Sequence, residues 1–240
     1  MTPATRFLTR PLYLQVRDTL VERITAGIWK PGSAIPNEIE LSRELSVSSG
    51  TVRKALEVME NENIVERRQG RGTFVRDHEA DQTASFRFNN ICDAEGNRVG
   101  TEFRDSTSEV TNPNEAEHAR LDLRPRGDVI RVRRLRLHRN QPYMWETTAL
   151  PASLYPILPA SVGDYRISVL AQQNGILLGR AEEAIAVTVA ANDVAESLEV
   201  APRTPLLKLD RIIFALDGRP AEWRVGLCAL GEKNYLARLG

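Results

Sequence analysis

Apolar positions in the first third of the chain recur at helical spacing. Leu12, Val16, Leu20 and Ile24 fall every four residues and share one face, with Pro11 before them and Gly27 ending the run. Pro31-Gly32 predicts a turn. Asn37, followed three residues later by Glu40, has the form of a capping box and predicts a helix through Leu41 to Leu45. After a break at Ser46-Val47, a third helix starts near Ser48 and turns Val52, Leu56 and Met59 inward. Ile64 to Arg68 then reads as a short strand, Gln69-Gly70-Arg71-Gly72 as a turn and Thr73-Phe74-Val75 as the returning strand. Three helices followed by a two-stranded ribbon predict a winged helix-turn-helix over residues 1–77. On topology alone, an α+β domain with no nucleic-acid role is the alternative.

Residues 78–84 are polar and without period, which predicts a linker. Beyond it, residues 85–240 change character. Val129 to Leu137 is β-branched at first and then alternates Arg with Leu, a strand with one wet or ligand-facing side. Arg139-Asn140-Gln141-Pro142 predicts a turn, and Tyr143 to Leu150 the return strand. Pro151 to Pro159 holds three prolines and predicts loop with at most a short helix. A helix over Ser168 to Asn174, a strand over Ala184 to Val189 and a short helix over Asp193 to Leu198, with Asn192 as its cap, come next. Strands over Leu206 to Ala215 and Ala221 to Ala229 flank Asp217-Gly218, a strong hairpin signal. The pattern predicts an α+β domain built on a mostly antiparallel sheet.

Charge sharpens the first unit and excludes some functions for the whole. The chain of 240 residues balances 32 Lys plus Arg against 32 Asp plus Glu, so a globally basic nucleic-acid coat is ruled out while a local basic face is not. Residues 1–78 hold 12 basic against 10 acidic side chains, so placement matters more than the sum. Arg53 and Lys54 lie off the apolar stripe of the third helix, and Arg67, Arg68 and Arg71 gather near the hairpin tip. A third helix with an exposed first turn can enter the major groove, while a basic hairpin reaches backbone or minor groove. Cys92 and Cys228 are too far apart in sequence for a CxxC pair, and the three His give no zinc spacing. No apolar run approaches the roughly 20 residues that span a bilayer. The expectation is a soluble, cytoplasmic protein without metal or cofactor.

The ordered set Pro11-Leu12-Tyr13-Leu14-Gln15-Val16, Gly27, Pro31-Gly32, Ile35-Pro36-Asn37-Glu38, Leu41, Thr51-Val52-Arg53-Lys54-Ala55-Leu56 and Gly70-Arg71-Gly72-Thr73-Phe74-Val75 resembles the N-terminal motif of the GntR family of bacterial transcriptional regulators. Arg134-Leu135-Arg136, Pro142, Glu146, Leu150-Pro151, Asn174-Gly175-Ile176, Pro205-Leu206-Leu207, Arg211, Gly218, Pro220 and Glu222 resemble the HutC-type effector domain, or UTRA domain, related in fold to chorismate lyase. The resemblance implies a homodimer that binds an operator in double-stranded DNA and changes its grip when a small metabolite enters the second domain. It places DNA contacts at Ser48, Ser49, Thr51 and Arg53 and wing contacts at Gln69, Gly70 and Arg71. Hydroxyls and helix N-terminal amides suit phosphate oxygens, and Arg53 can present a bidentate fork to guanine. The chain departs from the family at Ile39 and Ser49, where Arg is usual, and at Gly50, where a larger residue is usual. These departures predict weaker generic affinity or a shifted operator preference.

Arg134 and Arg136, two apart on a strand, point to one face. Such a pair can hold a carboxylate or phosphate, or it can form ion pairs with nearby carboxylates. The resemblance implies the first, and puts Arg134, Arg136, Glu146, Tyr165 and Glu222 at effector-contacting positions. An aromatic hydroxyl of the family's pattern is Cys228 here. Trp145 and Trp223, beside the two glutamates, are read as core or dimer interface rather than pocket lining. The leading expectation is a repressor controlled by a small anionic metabolite. A chorismate-lyase-like enzyme carrying a DNA-binding domain is the alternative, although no nucleophile–base pair emerges from the sequence.

Overall fold

The computed structural model describes residues 10–80, 88–100 and 102–237, and the chain divides into two compact units, Met1–Ala80 and Asp81–Gly240. In the first unit, helix α1 (Leu12–Thr25) buries Val16, Leu20 and Ile24, whereas Leu12, expected to face inward, is exposed. Helix α2 (Glu38–Glu44) begins directly after Asn37, where the expected capping box closes. Asn37 accepts from the backbone N–H groups of Ile39 and Glu40 at 3.0 Å, and Glu40 reaches back to the Asn37 N–H at 2.9 Å. Helix α3 (Ser49–Asn61) is capped by Ser48, whose Oγ accepts from the Thr51 N–H at 3.2 Å, and it buries Val52, Ala55, Leu56 and Met59. Strands β1 (Val65–Arg68) and β2 (Gly72–Val75) pair antiparallel, with Val65 opposite Val75. The Ile35 N–H adds a bond to the Thr73 carbonyl at 2.9 Å, tying the segment before α2 to the wing. Gly70 and Gly72 turn the tip at φ +69° and +109°, conformations that a side chain disfavours.

Gly50 offers a clean test of helix propensity. A Cβ there would meet only the Ser48 Oγ at 3.8 Å, an ordinary contact. Gly50→Ala should therefore stabilise the first unit by up to about 1 kcal/mol, read as a higher unfolding midpoint. An unchanged or lower midpoint would contradict this.

Expected residues 78–84 fall partly outside what is described: 81–84 lie outside it. Residues 78–80 form a turn in which Asp77 Oδ1 accepts from the N–H groups of Glu79 and Ala80.

The second unit is built on a six-stranded antiparallel sheet in the order β4-β5-β6-β9-β8-β7, the mostly antiparallel α+β architecture expected. Its strands are β4 (Glu102–Thr111), β5 (Val129–His138), β6 (Gln141–Pro151), β7 (Leu178–Val189), β8 (Pro205–Ala215) and β9 (Pro220–Cys228). A small second sheet pairs β3 (Ile91–Cys92) with β10 (Asn234–Tyr235). Helix α5 (Ile167–Gln173) packs Ile167, Leu170 and Ala171 on the face that carries Ile130, Val132 and Arg134. Helix α6 (Asn192–Ser197) covers one end of the opposite face, packing on Leu135, Leu137 and Trp145, and the residues after α4 (Glu115–Arg120) cover the other. Asn192 is not the cap of α6: Ala191 stands at that position without a side-chain bond, and Asn192 is the first helical residue. Among the strands and α-helices, the unread elements are β3, β4, α4 and β10, and β7 starts six residues before the expected Ala184.

Candidate DNA-binding and effector sites

The first turn of α3 presents a small polar group of side chains. Ser48 and Thr51 share a 2.9 Å hydroxyl contact, and Ser49 Oγ donates to Ser42 Oγ of α2 at 3.3 Å. Arg53, one turn on, is well exposed and rests against Glu38 at the start of α2, with Nε 3.0 Å and Nη2 2.8 Å from one carboxylate oxygen. Exposed ion pairs of this kind are weak, so the guanidinium is held ready rather than locked. Lys54 is turned toward α1, its ammonium 4.3 Å over the Tyr13 ring.

Gathering three arginines at the wing tip is corrected by their partners. Arg67 turns back toward α3, donating to the Arg53 carbonyl at 3.4 Å and lying 3.6 Å from Glu60. Arg68 pairs with Glu66 at 2.8 Å and stacks on Phe74. Arg71 alone of the three has no side-chain partner among the described residues, and it stands at the tip with exposed Gln69 and Gly70.

In the second unit the candidate effector residues meet on one sheet face. Arg134 sits opposite Glu146 in the β5–β6 register, and both are fully buried. Glu146 bridges the two arginines: one oxygen accepts from Arg134 Nε at 2.5 Å, the other from Arg136 Nε at 2.7 Å. Arg224 Nη1 stands 3.6 Å from the second oxygen and its Nε donates to Glu222 at 2.8 Å. Arg211 extends the row to Glu183 on β7, Nε to Oε1 2.7 Å, and the Tyr235 hydroxyl also bonds Glu183. Burial alone would push the Glu146 carboxyl up, but the guanidiniums of Arg136, Arg224 and Arg134 outweigh it and hold it well below the usual carboxylate range. Burial pulls Arg134 down to about 10, still charged at neutral pH.

Both ion pairing and an opening are therefore present. Arg134, Arg136, Arg224 and Glu222 line a cavity of about 40 Å³ together with Phe88, Phe103, Arg166, Ser168 and Ile213. Phe103 lies under the Arg134 guanidinium at 3.9 Å. Tyr165 joins by its backbone, not by the expected side chain: its carbonyl accepts from Arg134 Nη1 at 2.8 Å, beside the Gly163 carbonyl at 3.2 Å. Gly163 itself tolerates no Cβ, which would fall 2.6 Å from that of Ser106. Trp145 and Trp223 face the other side of the sheet, in hydrophobic clusters, and Trp223 Nε1 donates to Asp210 at 2.9 Å. Cys228 is buried in an apolar cluster with Ile91 and Leu209, and burial pushes its thiol up to about 12.

Comparison with known proteins decides between the readings. Residues 12–75 match the bacterial regulatory proteins of the gntR family, and residues 94–230, more than half of the chain, match the UTRA domain. The chain belongs to the gntR family, as a UTRA-containing member. It is 28% identical over 216 residues to the mannosyl-D-glycerate transport/metabolism system repressor MngR of Escherichia coli, covering 89% of this chain and 90% of that protein. It is 35% identical over 117 residues to the histidine utilization repressor of Pseudomonas aeruginosa, covering 48% and 46% respectively. Among solved structures, YydK of Bacillus subtilis superposes with a TM-score of 0.55 at 18% identity over 96% of this chain and all of that one. PhnF of Mycobacterium smegmatis gives 0.52 at 22% identity over 94% and 99%. At such identities these two show the shared fold.

A gntR-family member is a transcriptional regulator and not an enzyme, so the chorismate-lyase-like alternative is set aside. Its winged helix binds DNA and its UTRA domain binds a small-molecule effector. Among the described residues, no helix is long and apolar enough to cross a membrane. In this gntR-family chain the sequence reading missed Arg224, Phe88 and Phe103, and named Arg211 only as part of the resemblance. Arg224 carried a usable signal, since it stands two residues after Glu222 on a strand and so shares its face. Phe88 and Phe103 carried none, because one precedes β3 and the other lies on β4, and neither strand was legible.

Proposed function

We propose that this regulator is a homodimeric, cytoplasmic repressor whose hold on DNA is changed by a small anionic metabolite, a carboxylate or phosphate. Residues 1–77 serve as the DNA-binding domain, 78–84 as linker and 85–240 as the effector-binding and dimerisation domain. Ser48, Ser49, Thr51 and Arg53 meet the major groove, and Gln69, Gly70 and Arg71 the adjoining backbone. Arg134, Arg136, Glu146 and Glu222 hold the effector, with Tyr165 supplying a carbonyl.

The observation that carries the anionic class is charge. Among the described residues of this sheet face, four guanidiniums (Arg134, Arg136, Arg211, Arg224) oppose three carboxylates (Glu146, Glu183, Glu222). An uncompensated buried cation is costly, and a bound anion would remove that cost while gaining bidentate hydrogen bonds. Phe88, which lines the cavity, and Asn89, which lines a smaller one beside Arg136, Arg211 and Arg224, are the first described residues after the segment joining the two units. A ligand that displaces them acts directly on the root of the linker, which supports coupling to DNA. The ligand can shift that equilibrium only by its differential affinity for the two states.

A thermal-shift screen of the full chain tests the reading. The panel holds sugar phosphates, aromatic and aliphatic carboxylates, mannosyl-D-glycerate and histidine. At least one anion should raise the melting temperature, and its neutral analogue should not. The same anion, at saturation, should alter affinity for a duplex selected from a random pool. Equal affinity with and without a bound anion would refute the coupling.

A further inference from the structure

The two edges of the six-stranded sheet differ in how they are protected. β4, at one edge, carries Glu102, Arg104, Asp105 and Glu109, and its pairing with β5 is broken by a bulge between Arg104 and Thr107 where Asp105 adopts φ +52°. Charges and bulges are the usual means of keeping an edge from recruiting another strand. β7, at the other edge, is 12 residues long and has no neighbour on its outer side among the described residues. Its second half, Ala184-Ile185-Ala186-Val187-Thr188-Val189, contains no charge and no proline, and keeps regular pairing with β8. Ile185, Val187 and Val189 point to one face and are 49%, 77% and 52% exposed. An unguarded β-branched edge invites pairing with another chain unless something covers it.

We infer that β7 is the seam of the homodimer, pairing antiparallel with β7 of a second copy across a two-fold axis to make a continuous sheet. This deepens the homodimer reading above and rests on it. The occupant is a second copy because the strand is self-complementary. An axis at Val187 sets Ile185 opposite Val189 of the partner subunit, apolar against apolar. Glu182 and Glu183 then lie away from their own copies, so no like charges meet. The pairing also uses up the edge once and closes, which a heterologous strand addition does not. A stable dimer needs about 800 Å² per subunit, more than one strand supplies. The patch extends on the same face through Leu207 and exposed Pro205, which lie beside Val187 and Val189, and Leu236 after β10 is exposed as well.

The test is the solution mass of the full chain by size exclusion with light scattering across a dilution series. Wild type should run at twice its 26.9 kDa chain mass. Val187→Lys places two ammonium groups at the axis and should weaken dimerisation on the order of 100-fold or more. The side chain is mostly exposed, so far-UV circular dichroism and melting temperature should match wild type. Val110→Lys, at an exposed apolar position on the guarded edge, should stay dimeric. A dimeric wild type whose Val187→Lys form dimerises equally well overturns the β7 seam and leaves the homodimer reading standing. A monomeric wild type overturns both.

Discussion

Glu146→Gln should cost the effector unit about 3–5 kcal/mol, because it leaves Arg134 and Arg136 buried without the carboxylate that bridges them. Urea unfolding of the full chain reads this through tryptophan emission, since Trp145 and Trp223 belong to that unit. A midpoint shift of roughly 1–3 M is expected at ordinary slopes. The substitution keeps volume and one acceptor, so charge is the main change. Replacing all three together, with Arg134→Met, Arg136→Met and Glu146→Leu, should recover much of the loss, as apolar groups of similar size carry no desolvation cost. That triple variant should also lose the thermal shift with any anion. Acid should act in the same direction as Glu146→Gln. The carboxyl is depressed in the folded state, so its contribution is complete above the ordinary value of 4.5, declines below it and is gone past the folded value. Wild-type stability in Glu146→Gln would mean that the charge row is not what holds this part of the sheet.

Arg53→Ala should lower affinity for a selected operator by on the order of ten- to a hundredfold while leaving affinity for unrelated duplex nearly intact. Exposure and position one turn into α3 make this guanidinium the base-reading group of the proposed interface. Its resting partner Glu38 is a competitor for that edge. Glu38→Gln should therefore tighten operator binding modestly, whereas a structural role for the pair would weaken it. Parallel losses on operator and unrelated duplex for Arg53→Ala, with a salt slope shallower by about one, would recast the residue as a phosphate contact. Competition binding at two salt concentrations separates these outcomes.

The parts that were legible in the sequence share a physical property: their information is local. The helical stripe of α1, the capping box at Asn37 and Glu40 and the glycines of the wing tip each act over a few residues, and each stands where expected apart from Leu12 at the start of the stripe. β4 was illegible because it is an edge strand: nearly all of Glu102 to Thr111 stays wet, so no apolar alternation marks it. The first half of β7 was hidden in the same way by Arg180, Glu182 and Glu183. Helix α4 is different, since Asn114 and Glu117 form a capping box as complete as that of α2, but its six residues Glu115–Arg120 carry no large apolar side chain to mark a buried face. At the site, period two was enough to pair Arg134 with Arg136. That they converge on one glutamate, and that Tyr165 offers a carbonyl instead of its hydroxyl, depended on three separate segments meeting.

The size of the arginine-walled cavity has a kinetic consequence. About 40 Å³ admits a water or two, whereas a phosphorylated or carboxylated metabolite occupies several times that volume. A ligand of that size seats there only if the lining around Phe88 and Phe103 shifts, so the proposed effector site predicts an opening step before binding. Under such gating, observed association rates should reach a plateau as ligand is raised, with the plateau height measuring how often the chamber opens.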